Sequence, residues 1–411
     1  MKKQTKPFLK RLKLAFISLF ETPWKASLTA GLIFITVSLG TGKIFQQSDY
    51  PYFNYLADAF LHGQTWLRQV PPSIKDLSFF NGRYYLYWGP FPAILLIPFV
   101  AVFGIQFNDV LFTIMIGMFN VGLVAYLLRV TCRTGFLRLS ETQRAILSFF
   151  FAFGTVHFTL PPYGKVWMTA SLIGFTCTLF AYLAVFTLKG RKAWFYMGLA
   201  LSGAMLTRSN LIFTGIFPLI YLLYRQKPLD KRIIINIFVG GLPLVIALGS
   251  FLFYNQIRFG NPFDIGVNYN IMHNFYKADF EWYGVFNIHY VPVNLYYQYI
   301  FYPFPIRQES LMGGSLFLLS PLFFSSFFAI WKTRNKLYIE GLFASILITN
   351  IPIILIIGTG WTQFGPRYTL DFTVPLLLLC GLGIEKWNSK TSFILALISV
   401  FHYLIGVTLC M

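Results

Sequence analysis

The sequence predicts an all-α polytopic membrane protein with about 11 transmembrane helices and a long first extracytoplasmic loop carrying amphipathic surface helices. Three observations predict it. Of 411 residues, 56% are hydrophobic and only 11% are charged, whereas soluble domains carry about 25% charged residues. Apolar runs recur along the chain at lengths near the roughly 20 residues that cross about 30 Å of hydrocarbon. The Lys and Arg residues gather in short intervals between alternate runs, the bias expected of cytoplasmic loops.

Taken in order, the N-terminus MKKQTKPFLKRLKLAFISLFETPWK is basic and amphipathic, and the first apolar run, 26–45, follows it. No small-residue cleavage site follows that run, so a retained signal-anchor is expected. Further spans are expected at 109–128, 145–161, 167–188, 194–207, 209–224, 233–254, 314–331, 338–357, 370–385 and 391–410. The pair 194–207 and 209–224 is short and reads as a tight helical hairpin turning at Arg208. The run 90–104 carries prolines at 90, 92 and 98. It is short for a span and suits a re-entrant or surface helix.

Charge decides the status of 90–104. If it does not cross, 23 of the 33 Lys and Arg residues fall on the side of the N-terminus. If it does, RVTCRTGFLRLSETQR and KGRK move to the other side and the bias is broken. The expectation is a single transmembrane domain over 1–411 with a cytoplasmic N-terminus and extracytoplasmic loops at 46–108 and 255–313. Within the first loop, Tyr52, Tyr55 or Leu56, Ala59 and Phe60 recur at helical spacing. They predict a short helix lying on the membrane surface.

The net charge of +19 is therefore mostly a topology signal, and no nucleic acid partner is implied. Ten cations and nine of the 14 acids remain on the outer side, nearly balanced. Cys132, Cys177, Cys380 and Cys410 are scattered and form neither a CxxC pair nor a metal spacing, so buried thiols are expected. No HExxH, carboxylate triad, Walker loop, GxGxxG or Gly-x-Ser-x-Gly elbow occurs. That argues against ATP, dinucleotide and hydrolase chemistry and gives no support to a metal site.

The candidate chemistry lies among the outer charges. Asp49 follows the first span, in QQSDYPYFNYLADAFLHG. It reads either as a general base for an attacking hydroxyl or as an interfacial helix cap. Arg208, in GAMLTRSNLIF, is costly between two apolar helices unless an anion or water reaches it. A guanidinium there can grip a phosphate bidentately, or it can simply snorkel. Arg367, in WTQFGPRYTLDF, reads as a second phosphate contact or as the i,i+4 partner of Asp371. Lys165, in PPYGKVWMTAS, is a third cation of that face or an interfacial lysine. Tyr84, Tyr85 and Trp88 in GRYYLYWGPFP can stack on sugar rings, although aromatic belts have the same composition. Tyr50 and Arg258 complete the substrate-binding candidates. Asp58 reads as a residue on a solvated helix face, and Asp76, in a Pro-flanked turn, has no special claim.

The order of these segments resembles the GT-C superfamily of membrane glycosyltransferases, close in organisation to bacterial aminoarabinose transferases and protein O-mannosyltransferases. The resemblance rests on the acid in QQSDYPYFNYLADAFLHG, on GRYYLYWGPFPAILLIPF before a short helix, and on the LTRSN turn. It implies an integral protein of the bacterial plasma membrane with an outward-facing site. The implied partners are a polyprenyl-phosphate-linked sugar as donor, a lipid, glycan or protein acceptor, and membrane lipids. Asp49 matches the family's catalytic acid and Arg208 a basic residue near the donor phosphate. Two departures stand out: GKVWMTAS has no acid where many members carry a second one, and Tyr50 follows Asp49 where others have an acidic pair. A metal-dependent mechanism of the oligosaccharyltransferase kind is therefore not expected. No cofactor is implied, and a divalent metal is left open. The competing readings are a lipid-linked sugar flippase or transporter, a surface-glycan polymerase or ligase, and a non-catalytic scaffold.

Overall fold

The computed structural model describes residues 5–226, 231–331, 336–358 and 363–409. The chain is helical almost throughout, as its composition predicts. It opens with α1 (Thr5–Glu21) and α2 (Pro23–Gly40), separated by a break at Thr22 that Pro23 enforces, since proline is tolerated only in the first turn of a helix. Among the described residues, six helical segments are long and apolar enough to cross a membrane. They are α5 (Asp109–Arg133), α7 (Val166–Thr187), α10 (Arg232–Phe259), α14 (Lys336–Leu355), the segment Arg367–Ile384 that ends in α15 (Thr373–Ile384), and α16 (Ser389–Leu409).

The other expected spans are present as shorter or broken helices. The run 145–161 becomes α6 (Glu141–Phe153) followed by 3₁₀ turns at Val156–Thr159 and Pro161–Tyr163. Gly154 ends the helix and Pro161 and Pro162 cannot restart it. The pair around Arg208 becomes α8 (Gly190–Thr207), a 3₁₀ turn at Ser209–Gly215, and α9 (Ile216–Arg225). The run 314–331 becomes α13 (Leu316–Leu319) and a 3₁₀ stretch over Pro321–Trp331. The run 90–104 forms α4 (Phe91–Phe103), with Pro98 inside it and Gly104 closing it. Its 13 residues span about 20 Å, against roughly 30 Å of hydrocarbon.

Helices approach closely where glycine allows it. A Cβ on Gly198 of α8 would stand 1.9 Å from the Gly240 carbonyl oxygen of α10, so α8 is seated against α10 on one side and α7 on the other. At the bundle end carrying residues 129–144, Glu21 receives Arg144 at 2.9 Å and Arg129 at 3.7 Å. Cys132, Cys177 and Cys380 are free thiols, and Cys410 lies outside the described residues.

The opposite end is roofed by the two long loops. The helix expected over residues 52–60 is present as α3 (Tyr52–Leu61), but it does not lie on a surface. Tyr52 to Ala57 and Ala59 are all buried, and the helix packs on α4 within a second, smaller core. Its apolar pattern is spent on protein contacts. Strands β1 (Ser78–Phe80) and β2 (Arg83–Tyr85) pair antiparallel, Phe79 opposite Tyr84. They turn through Asn81 and Gly82, both at positive φ, as a two-residue hairpin loop requires. The second loop, with α11 (Asn274–Tyr283) and α12 (Val291–Leu295), is tied to the first. Ile271 N–H donates to the Leu77 carbonyl at 2.8 Å, Asp76 N–H to the Ile271 carbonyl at 3.2 Å, and Ser78 Oγ to the Gly266 carbonyl at 2.7 Å. A parallel pair, β3 (Met312–Gly313) with β4 (Gln363–Phe364), joins the end of that loop to the approach to Arg367.

Candidate active site

The site begins where α8 stops. Arg208 leaves the helical conformation at φ −148° and ψ 115°, and the turn after it aims its guanidinium back between α7 and α8. Nη2 lies 3.0 Å from Oδ2 of Asp371, and Nη1 donates to Ser171 Oγ at 3.3 Å. The guanidinium stands 5.0 Å from the Tyr368 ring and 5.7 Å from the Trp88 ring. Asn210 Nδ2 donates to the same Asp371 oxygen at 2.7 Å. Arg367 is buried alongside, 5.0 Å from Tyr368. Asp371 is thus the ion-pair partner of Arg208, across the bundle, rather than of Arg367 at i,i+4. That arrangement answers the cost of a buried arginine with a buried anion. It leaves two guanidinium groups against one carboxylate.

Three buried polar atoms here, Arg208 Nε, Arg367 Nε and Asp371 Oδ1, have no hydrogen-bond partner. Buried polar groups are paired in the great majority of cases, and here three around one ion pair have no partner within the protein. Trp88 is delivered by a close approach: a Cβ on Gly89 would meet the Leu206 carbonyl oxygen at 2.0 Å. Only glycine lets this segment lie against the last turn of α8.

An apolar groove of about 550 Å³ runs between α4, α5, α7 and α8. Leu95, Leu123, Phe180 and Leu199 line it, and Gly203, five residues before Arg208 on α8, is its lining residue nearest that arginine in the chain. Neither Arg208 nor Arg367 is part of the lining.

Asp49 stands on a different footing. It is exposed, but its neighbours are pinned. Ser48 donates through N–H and Oγ to the two oxygens of buried Asp109, at 2.8 and 2.5 Å. The Tyr50 carbonyl accepts from Val166 N–H at 3.1 Å. The Tyr50 ring lies 4.6 Å from Trp167, with Lys165 Nζ 5.9 Å from its centre. The structure therefore joins Asp49, Tyr50 and Lys165 at the first turn of α7.

Trp167 links the two halves. Its backbone carbonyl accepts from Ser171 Oγ at 2.8 Å, and that hydroxyl also receives Arg208. Its indole Nε1 donates to Asp76 Oδ2 at 3.1 Å. The GKVWMTAS segment has no acid of its own, but it recruits one from the loop. Burial pushes the Asp76 carboxyl above the ordinary carboxylate range, and the Trp167 hydrogen bond, Arg367 and His273 pull the other way. Burial likewise holds the Tyr87 hydroxyl well above its ordinary range, with Asp76 and Tyr368 acting in the same direction.

The remaining expected contacts lie elsewhere. Tyr84 packs on Phe79 at 5.0 Å and Tyr85 on Phe259 at 5.2 Å. Arg258 spends its donors on the Leu86 carbonyl at 2.8 Å and on Asn255 Oδ1 at 2.6 Å, under the Tyr254 ring. Tyr85 and Arg258 clamp the hairpin to the end of α10, which holds in place the segment that delivers Trp88. Asp58 pairs with Arg68 at 3.3 Å and with His62. Asp76, Trp167, Ser171 and Asn210 were not legible as site residues. Each is ordinary in sequence and is brought in by tertiary contact. Among the described residues, no group of three His, Cys, Asp or Glu is placed to hold a metal ion.

No protein-family model matches the chain, and no curated protein matches it. Solved structures do. The chain is similar to ArnT from Cupriavidus metallidurans bound to undecaprenyl phosphate, with a TM-score of 0.50 and 13% identity over 92% of this chain. The apo state of the same protein gives a TM-score of 0.49 and 14% identity over 88% of this chain. The likeness is one of fold: the chain is an integral membrane protein with an ArnT-like helical fold. It spans about 62% of the length of that ArnT.

Proposed function

We propose that this protein is a membrane glycosyltransferase that moves a sugar from a polyprenyl-phosphate donor to an acceptor hydroxyl at the outer face of the membrane. The observation that carries the reading is the Arg208–Arg367 pair with orphaned Nε atoms, set at the end of α8, the helix that also walls an apolar groove. A ligand with a long hydrocarbon chain and a phosphate fits both parts at once. The fold is shared with a protein solved with undecaprenyl phosphate bound, which supports the same ligand class here.

In this account the prenyl chain lies between α5, α7 and α8, and its phosphate meets Arg208 and Arg367, with Lys165 across the Tyr50 ring. The bond between the sugar anomeric carbon and the phosphate oxygen breaks, and both electrons leave with the phosphate. The arginines offset the charge that grows there, the interaction that electrostatic catalysis relies on. The acceptor oxygen forms the new bond to the anomeric carbon, and Asp49 takes its proton. Asp49 suits that role because it is exposed on a pinned turn, reachable by an acceptor arriving from outside. The lipid phosphate is a good leaving group, so no nucleotide is consumed. Attack from the face opposite the phosphate gives inversion.

The test is incubation of purified protein with labelled polyprenyl-phosphate sugars in vesicles. A transferase separates sugar from lipid phosphate. A flippase, which would use the same arginines to hold the phosphate, relocates the intact molecule, and that outcome would replace this reading.

A further inference from the structure

Asp76 is the carboxylate that the transfer mechanism leaves unused. It sits at φ 61°, a left-handed conformation that costs most side chains and that Asp and Asn adopt more readily than others. The junction of the two loops fixes it there: Asp76 N–H bonds to Ile271, and its successor Leu77 is bonded through its carbonyl to the same residue. One carboxylate oxygen is occupied by the Trp167 indole at 3.1 Å. Its charge is felt by Tyr52 and Tyr87 and is drawn by Arg367 and His273. Through Trp167, Asp76 is therefore linked to the Asp49 turn by the Tyr50 ring and to Arg208 by Ser171, the two ends of the proposed transfer.

A negative charge that acts on the Arg367 guanidinium weakens its pull on an anion, so a site meant only for phosphate would do better without it. A carboxylate beside indole and phenol rings is the usual chemistry for a polyhydroxylated ring. Hydroxyls donate to its oxygens, and the aromatic faces cover the apolar C–H surface. We propose that Asp76 is a specificity-determining residue that receives hydroxyl groups of a neutral sugar ring carried on the lipid phosphate, with Trp167 holding the carboxylate in register. This rests on the transferase reading given above and names the contact that distinguishes the sugar from its carrier.

Asp76→Asn is the informative variant. Asparagine keeps the left-handed backbone, and its side-chain oxygen can still accept from Trp167; what it removes is the charge. The probes are bare undecaprenyl phosphate and a panel of neutral hexosyl and pentosyl undecaprenyl phosphates. The expected result is a KM for the sugar-bearing lipid raised by about ten- to a hundredfold, the loss of a charge-assisted hydrogen bond, with binding of bare undecaprenyl phosphate undiminished or tighter. Thermal stability should hold or rise, because the neutral side chain is easier to bury. Asp76→Ala, measured for the same two ligands, should reproduce the split even with lowered stability. Equal loss for both ligands, or no loss for either, overturns the assignment while leaving the transferase reading intact. A wild-type protein that binds neither lipid overturns both.

Discussion

The two halves of the site are built in opposite ways. Around Arg208 the groups are buried or half-buried and cross-tied: Asp371, Asn210, Ser171, Tyr368 and Trp88 hold two guanidinium groups in a place where charge is expensive. Around Asp49 the neighbours are tied and the carboxylate itself is left exposed. The difference suits the two tasks proposed for them. A leaving-group site gains from fixed charge in a dry setting, where it needs no reorganisation during reaction. A base must meet an acceptor that arrives from outside, so it gains from access.

That contrast can be broken by substitution. Asp49→Asn should cost the most in turnover, about 10²–10⁴-fold for lost general-base assistance, with protein abundance and melting temperature unchanged. A radiochemical transfer assay beside a thermal melt reads both. Arg208→Ala should act on both properties at once, since it strands Asp371. Losing one member of a buried ion pair costs about 3–5 kcal/mol, so the variant should melt markedly lower. Pairing it with Asp371→Asn should recover most of the stability and none of the activity, which separates the pair's structural role from its proposed phosphate role.

A smaller effect is expected in the groove. Ala200 lies on its wall, and Ala200→Trp should raise KM for a long-chain polyprenyl donor severalfold while sparing a short-chain analogue. Equal effects on both chain lengths would put the hydrocarbon elsewhere. The smallest effect is expected at Asp58→Asn. Its partner Arg68 is one-third exposed, and such pairs contribute about 0–1 kcal/mol. The melting temperature should move little and transfer should not move at all.

The membrane class of the fold was legible because composition and apolar run length act along the chain and need no tertiary information. The hairpin turn at Arg208 was legible for the same reason: a charge interrupting two apolar runs has few other uses. Helix type and exact span were not, because the prolines and glycines at 154, 161 and 321 convert expected spans into short helices and 3₁₀ stretches. The helix at α3 was placed correctly and its environment was not, since an amphipathic pattern cannot say whether lipid or protein covers it. Arg208 and Arg367 read as cations of one face, but the alternative i,i+4 pairing of Arg367 with Asp371 does not form: Asp371 pairs with Arg208 across the bundle, a contact that local spacing does not show. Asp76 has no special claim in the sequence because its contact is with Trp167, 91 residues away. Nothing local marks such a pairing.

The central claim is chemical: that the protein cleaves the bond between sugar and lipid phosphate and uses Asp49 to do it. The direct measurement compares wild-type protein with Asp49→Asn in vesicles loaded with labelled polyprenyl-phosphate sugar, following free lipid phosphate and glycosylated acceptor together. The account predicts that both products form with wild type and neither with the variant, although the variant still binds the lipid. Undiminished product from the variant, or intact sugar-lipid merely moved across the bilayer by both proteins, would contradict it.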